Sequence, residues 1–594
     1  MPTLSVSPCI EALESRLAPA GLVTVTSSGD TLTITGDGED NNLDIRDNGD
    51  GTWTIRDLAG EGQPMPDIIV PAPTHLKVNL QGGSDYLEME GLHIAGNVLI
   101  TDAGAGGDDT VIFHSTVISG TTKVDLGDGN DSVTTEYVTF GKLLTLQGGS
   151  GSDTYTLGRG YYTGIKADFG TGSDTFSLRG GEGDITVQGR VDLVSKSTSA
   201  EALTVQFGAA TLTITGHVSV KTGAGRSSLD LGTHLEGTLR VLGGFTYTGG
   251  DGADAFRLAS HIFIGGRLDI KTGDGPTLLS TGGLNTLTLG SLNFTGGHGE
   301  DRLNFTLGRI QILGDATFNL AHGDNEMLVI FGQVDLSIGG KFTYKGGSGS
   351  DWVTLHGSRL HIAGPIHISP GDGKNTCDIV NAEAWVGNIT YTGGKGDDSF
   401  EVGYYTATVG TTHVFGHITA SLGAGKNFAS ISDAYVHGHV RLTSATDDPS
   451  HVRGSEHLGI RDSIITGTTH LKATGTSGTT AALHNSIFQG RVLVETGRGN
   501  DEVILDYSIP DFPMKGRKNQ FHGAVRILLG AGGDLLNLDA PNPALYGNIF
   551  HSTFYADGGP GKPITGDLNI VFGIPSSAHF FSTAPTLKNF QPVV

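Results

Sequence analysis

Apolar and polar residues alternate with period two in short runs through most of the chain, and glycines punctuate the runs at regular places. The segments HIFIGGRLDIKTG (His261–Gly273), RLHIAGPIHISPG (Arg359–Gly371), THVFGHITASLG (Thr412–Gly423), AYVHGHVRLTS (Ala434–Ser444) and SIFQGRVLVETG (Ser486–Gly497) each read as a strand, a glycine and a second strand. Between them stands a glycine turn that leads into a third strand. It appears as LGDGNDSVTT (Leu126–Thr135), QGGSGSDTYTL (Gln147–Leu157), YKGGSGSDWVTL (Tyr344–Leu355) and YTGGKGDDSFEV (Tyr391–Val402). No stretch of the array carries helical periodicity.

The residue four after the first turn glycine serves as a ruler. It falls at Asp85, Asp109, Asp131, Asp153 and Asp174, then at Ser227, Asp254, Thr277, Asp301, Asn325, Asp351, Asn375, Asp398, Asn427, Thr479, Asp501 and Asp534. Most separations are about 21 to 29 residues, and two are about double that; degenerate turns near Ser197–Ala200 and Asp447–Ser450 would fill them. Units this short leave no room for βαβ crossovers, which need about 30 residues. The predicted fold is all-β: a single-stranded right-handed parallel β-helix with three strands per coil and about nineteen coils. Phe256, Leu303, Val353 and Phe400, each two residues after the ruler, should share one inner face.

The ends depart from the pattern. Residues 1–20 form an N-terminal export-like segment and 21–62 an antiparallel β meander that caps the first open edge. A proline-rich link (63–75), the β-helix (76–556) and a C-terminal cap and tail (557–594) follow.

Composition sharpens this without changing it. Ninety-four glycines lack a collagen period, and a 37% hydrophobic fraction is enough for a core. A net charge of −25 excludes phosphate-backbone binding, hence a nucleic-acid partner. Cys9 and Cys377 are too few for a disulfide framework, and no apolar run reaches the roughly 20 residues of a transmembrane segment.

GGSGSD, GGDGAD, GGHGED and GGKGDD, each followed by an alternating strand, resemble the calcium-binding nonapeptide of hemolysin-type (RTX) proteins. IEALESRLAPA near the N-terminus resembles the LExR-type segment of large bacterial surface and secreted repeat proteins. The resemblance implies secretion or cell-surface display, and Ca2+ held by turn aspartates. Asp109, Asp131, Asp153 and Asp174 are the leading candidate ligands, with Asp254, Asp301, Asp351, Asp398 and Asp501 behind them. The family repeats in tandem every nine residues, whereas here one copy occurs per coil. Carboxylates stacked about 4.8 Å apart repel by about 1 kcal/mol in water, and by about 3 to 4 kcal/mol at an effective dielectric near 20, so an all-aspartate block calls for a counterion. The alternative is that Asp and Asn close the turns by Asx hydrogen bonds. Further along, aspartate alternates with Asn or Thr, which doubles the spacing of like charges.

Histidines at His361, His367, His413, His417, His437 and His439 offer either a metal site or a ladder of polar rings, and the ladder is the expected reading. Acid pairs Asp108/Asp109, Asp397/Asp398 and Asp447/Asp448 are the candidates for glycosidase-type carboxyls. No nucleophile elbow, Walker loop or zinc motif is present. The expected function is a non-enzymatic structural or adhesive β-helix protein whose partners are carbohydrate or cell-surface components. A polysaccharide lyase or hydrolase on the same scaffold is the alternative.

Overall fold

The structure, a computed structural model, describes residues 23–57, 66–104, 106–180, 183–198, 201–232, 237–306, 308–329, 334–380, 383–403, 412–445, 458–476, 478–505, 518–538, 548–559, 570–572 and 580–592. The N-terminal export-like segment, the Asp447/Asp448 pair and most of the Tyr507–Lys518 insertion lie outside the described residues. The chain divides into two compact units, Met1–Ser197 and Thr198–Val594.

Each unit is a parallel β-solenoid, and no described residue is helical. In the first unit, Thr110–His114 pairs in parallel with Tyr86–Glu90 on one side and Ser132–Glu136 on the other. The two further strands of the coil, Val117–Ile118 and Thr122–Asp125, find their partners in the same neighbouring coils. Alternating burial follows from the two-residue period: the Thr110–His114 strand reads half-buried, buried, half-buried, buried, half-buried. In the second unit the face two residues after the ruler is as expected. Phe256, Leu279, Leu303, Met327, Val353, Cys377 and Phe400 stack in one register, all at most 2% exposed. Counted as turns the fold has about 16, slightly below the nineteen of the ruler.

The N-terminal antiparallel region exists, and it is also the start of the solenoid. Thr31–Thr35 and Asn42–Asp47 each have an antiparallel hairpin partner, Thr24–Ser28 and Thr52–Asp57, while their other edges pair in parallel with His75–Asn79 and Tyr86–Glu90. Within the proline-rich link, Ile68–Pro71 forms a further antiparallel strand on Thr52–Asp57. The hairpins thus occupy the edges that the first coil would otherwise leave open.

Toward the C-terminus, in the region expected to be cap and tail, coil-like pairing continues: Ile570–Phe572 on Leu535–Asn537, Phe580–Phe581 on Asn548–Phe550, and Thr586–Lys588 on Phe554–Asp557. No G-x-G-x-D turn announces these rungs. The second of them extends an aromatic ladder in which Phe488, Phe521, Phe550 and Phe581 stack at centroid distances of 5.1, 4.9 and 4.8 Å. Phe521 is fully buried between two of these rings, so Phe521→Ala is expected to cost about 3 to 5 kcal/mol locally. Hydrogen exchange should show faster opening of the amides of Ile487–Phe488 and Asn548–Phe550, with the first unit unchanged.

Candidate functional site

The ruler residues form a column at one corner of the coil, with their side chains turned inward. Asp85, Asp109, Asp131, Asp153 and Asp174 in the first unit, and Asp254, Asp301, Asp351, Asp398 and Asp501 in the second, are each no more than 3% exposed. The strand that follows points every second residue into the core, and the turn glycines let the carboxyl fold in beneath its own turn.

In the first unit each carboxyl is committed to the coil before it. Asp109 Oδ1 accepts the backbone N–H of Asp85 at 2.9 Å, Asp131 Oδ1 that of Asp109 at 2.9 Å, and Asp153 Oδ1 that of Asp131 at 3.0 Å. Asp174 Oδ1 accepts from Asp153 at 3.2 Å. The series begins one coil earlier than the sequence ruler, at Asn41, whose N–H donates to Asp85 Oδ1 at 2.7 Å. In GDGEDN the ruler would select Asp40, but Asp40 faces outward and accepts the N–H of Ser84.

In the second unit asparagine and aspartate alternate as complementary rungs. Asn325 donates both its backbone N–H (3.2 Å) and its Nδ2 (3.0 Å) to Asp351 Oδ1. Asp351 in turn donates its N–H to Asn375 Oδ1 at 3.0 Å, and Asn375 Nδ2 donates to Asp398 Oδ1 at 2.9 Å. The amide nitrogens also hold their own turns: Asn375 Nδ2 donates to Gly371 O at 3.0 Å, and Asn427 Nδ2 to Gly423 O at 2.9 Å.

The second carboxyl oxygen explains the first glycine of the motif. A Cβ on Gly346 would stand 1.7 Å from Asp351 Oδ2 and 2.3 Å from the carbonyl oxygen of Pro370 in the next coil. Gly148, Gly296 and Gly393 stand in the same relation to Asp153, Asp301 and Asp398, with Oδ2 at 1.9, 1.7 and 1.8 Å. Asparagine rungs have Leu320, Pro370 or Leu422 at that place instead. Burial raises the aspartates: Asp131 to about 8, Asp85, Asp109, Asp174, Asp254, Asp301 and Asp351 to about 7, and Asp153 and Asp398 to about 6. In each case loss of solvent is the largest cause.

This donor set fits a hydrogen-bond ladder better than a calcium cage. Calcium takes six to eight oxygen ligands, whereas each Oδ1 of the first block already holds a backbone N–H. Oδ2 of Asp153 is packed against a glycine Cα. No group of three or more acidic, histidine or cysteine side chains converges on one point among the described residues. Treating the protein with a chelator is therefore expected to leave its melting temperature unchanged. A rise of several degrees in millimolar calcium would reinstate the metal reading.

Outside the column a second lacing runs in the opposite sense, with a side chain accepting the N–H of the following coil. Asp108 accepts from Asn130, Asp324 from Ser350 and Asp397 from Lys426, at 2.8, 2.7 and 2.8 Å. The acid pairs Asp108/Asp109 and Asp397/Asp398 are thus split, one member exposed and the other buried. Neither pair presents two carboxyls to one sugar.

Four of the candidate histidines form ladders, while His361 and His367 stand exposed on the strands Arg359–Ile362 and Ile366–Gly371. His417 and His439 stack at 4.8 Å; His417 Nδ1 accepts the N–H of His439, and His439 Nδ1 that of Thr468. A neutral ring whose Nδ1 accepts carries its proton on Nε2, so the outward nitrogen has no lone pair for a metal. His413 and His437 stack with Phe415 and Tyr435.

A further ladder escapes the sequence ruler. At the corner between the first two strands of the last coils, Ala434 N–H donates to Ser463 Oγ, Ser463 N–H to Ser486 Oγ, and Ser486 N–H to Asn519 Oδ1, at 3.1, 3.1 and 2.9 Å. Asn519 Nδ2 continues it to Asn548 Oδ1 at 3.0 Å. Its signal is a small polar residue at the start of the mid-coil strand or one position ahead of it, with a residue of φ near +50° at Asp433, Asp462 and Asn485 just before the corner.

These features define an all-β parallel solenoid laced by internal side-chain-to-backbone ladders. No protein family, curated protein or solved structure matches the chain.

Proposed function

We propose that this chain is an exported, non-enzymatic structural or adhesive β-solenoid that acts at the cell surface or outside the cell. The observation that supports this reading most directly is how the repeated residues are used. The turn glycines, the ruler Asp and Asn and the inner apolar positions are all spent on coil-to-coil contacts. The sequence feature that repeats is therefore a building rule and does not converge on a reaction centre. The outward face is what remains to meet carbohydrate or other envelope components. The charge of −25 suits a chain kept dispersed outside the cell.

The test is localisation followed by loss of function. Cells producing the chain should label with antibody without permeabilisation, and deletion should weaken surface attachment or envelope cohesion. Turnover of any member of a polysaccharide panel by the purified chain, abolished in Asp447→Ala or Asp448→Ala, would replace this reading with the enzyme.

A further inference from the structure

The aspartate column poses a chemical problem that its asparagine neighbours solve. At Asn375 and Asn427 the side-chain atom turned back onto the turn is a donor, and it reaches the carbonyl oxygens of Gly371 and Gly423. At Asp351 the corresponding atom is Oδ2, which is buried, has no hydrogen-bond partner and shares its space with the Pro370 carbonyl oxygen. Oδ2 of Asp153 and of Asp398 is likewise buried and unpartnered, against the carbonyl oxygens of Phe169 and Leu422. Two acceptors facing each other in a dry corner repel, and an ionised carboxylate there has neither solvent nor a cation.

What else faces the column brings no cation. In the second unit the phenols of Tyr247, Tyr344 and Tyr391 favour the charged form as donors, Tyr247 O–H reaching Asp254 Oδ1 at 2.9 Å, while the carboxyls of Asp324 and Asp397 oppose it, and loss of solvent outweighs the phenols at each rung. In the first unit the facing groups are the neighbouring rungs together with Asp40, Asp102, Asp108 and the buried Tyr155 phenol. None is a cation.

We propose that the column aspartates are held as neutral carboxylic acids, each with its proton on Oδ2 standing where asparagine carries Nδ2–H, so that the solenoid is a proton-loaded ladder that acid tightens and alkali loosens. On this view Asp and Asn rungs such as Asp351, Asn375 and Asp398 interchange because each offers Oδ1 to the previous coil and a donor beside it, which asparagine turns onto its own turn and the acid onto a carbonyl of the next coil. The first block then needs no counterion, because a stack of neutral acids does not repel. The raised values of the column acids agree with this in direction.

The sign of the pH dependence follows. Below about pH 4 folded and unfolded chains both hold these protons and the stabilisation is fully present; it declines as pH rises above about 4, where only the unfolded chain ionises, and is gone once the folded acids ionise at about 6 to 8. The experiment uses the full chain. In deuterated buffer the infrared spectrum is expected to show a carboxylic-acid carbonyl band at about pH 6 that fades by about pH 9. The melting temperature should fall as pH rises from about 4 to about 8 and level off beyond it. Asp351→Asn with Asp398→Asn should fold, weaken the band and flatten the pH slope, and Asn375→Asp should steepen it. No acid band at about pH 6, or a melting temperature flat or rising toward alkaline pH, would overturn the proposal. If calcium raised the melting temperature while the acid band was missing, the carboxylates would be ionised and metal-bound instead. Should the double variant not fold, the band in the unaltered chain decides.

Discussion

Asp351→Ala is expected to open the second unit locally by about 3 to 5 kcal/mol, while Asp351→Asn leaves it unchanged or more stable at neutral pH. The alanine removes the one oxygen that takes both the backbone N–H and the Nδ2 of Asn325, at 3.2 and 3.0 Å. Nδ2 keeps the carbonyl oxygens of Gly323 and Leu320, but the buried backbone N–H is left without a partner, which costs about 1 to 3 kcal/mol. The void left by the carboxyl adds to this. Asparagine keeps Oδ1 in place and supplies a donor where the acid needs a proton. Native-state hydrogen exchange is the proper measure, because long repeat arrays open segment by segment and a single unfolding free energy is ill-defined for them. The amides of Glu326–Val329 and Trp352–Leu355 should exchange faster in the alanine variant alone. Equal protection in both variants would remove the column from the account of stability. Asp324→Ala, which deletes only the exposed acceptor for Ser350 N–H, should cost less than about 1 kcal/mol.

Gly151→Ala is expected to be at least as damaging in the first unit, at about 3 kcal/mol or more. Gly151 has φ +131°, a conformation that L side chains rarely adopt, and a Cβ there would lie 1.8 Å from the carbonyl oxygen of Gly129 in the preceding coil. The obstacle is backbone, so no rotamer change relieves it. Gly172 repeats the arrangement one coil on, where a Cβ would come 1.5 Å from Gly151 O. A single methyl group therefore forces neighbouring coils apart at the corner where the acids are bonded. Thermal unfolding followed by circular dichroism should show an early transition in this variant. Gly38→Ala, where nothing lies within 4 Å of the added atom, should melt as the unaltered chain does. If Gly151→Ala melted normally, the glycine stack would be a composition bias rather than a packing requirement.

The behaviour of particular residues separates what could be read from the chain from what could not. Alternation of apolar residues with period two placed Phe256, Leu303, Val353 and Phe400 on one inner face, because strand geometry alone fixes which residues share a side. The G-x-G-x-D spacing placed the turns, because glycine is needed wherever neighbouring backbones touch. The strands Glu201–Phe207 and Leu458–Arg461 fall in the two long gaps of the ruler and pair in parallel with neighbouring strands of the second unit. Their register comes from hydrogen bonds to neighbouring coils, about which the local sequence is silent. The same holds for Ile570–Phe572 and Thr586–Lys588, and for the choice of Asn41 over Asp40 as the first rung.

The sequence by itself determined the class of fold, the corner at which each coil turns and the identity of the residues at that corner, since these follow from local periodicity and from the steric needs of glycine. Only the tertiary structure decided what the aspartates do there. A repeated GGxGxD spells the same letters whether the carboxyl faces a metal outside or an amide inside. The difference lies in burial, and in partners some 20 to 30 residues away that become neighbours only when the coils stack.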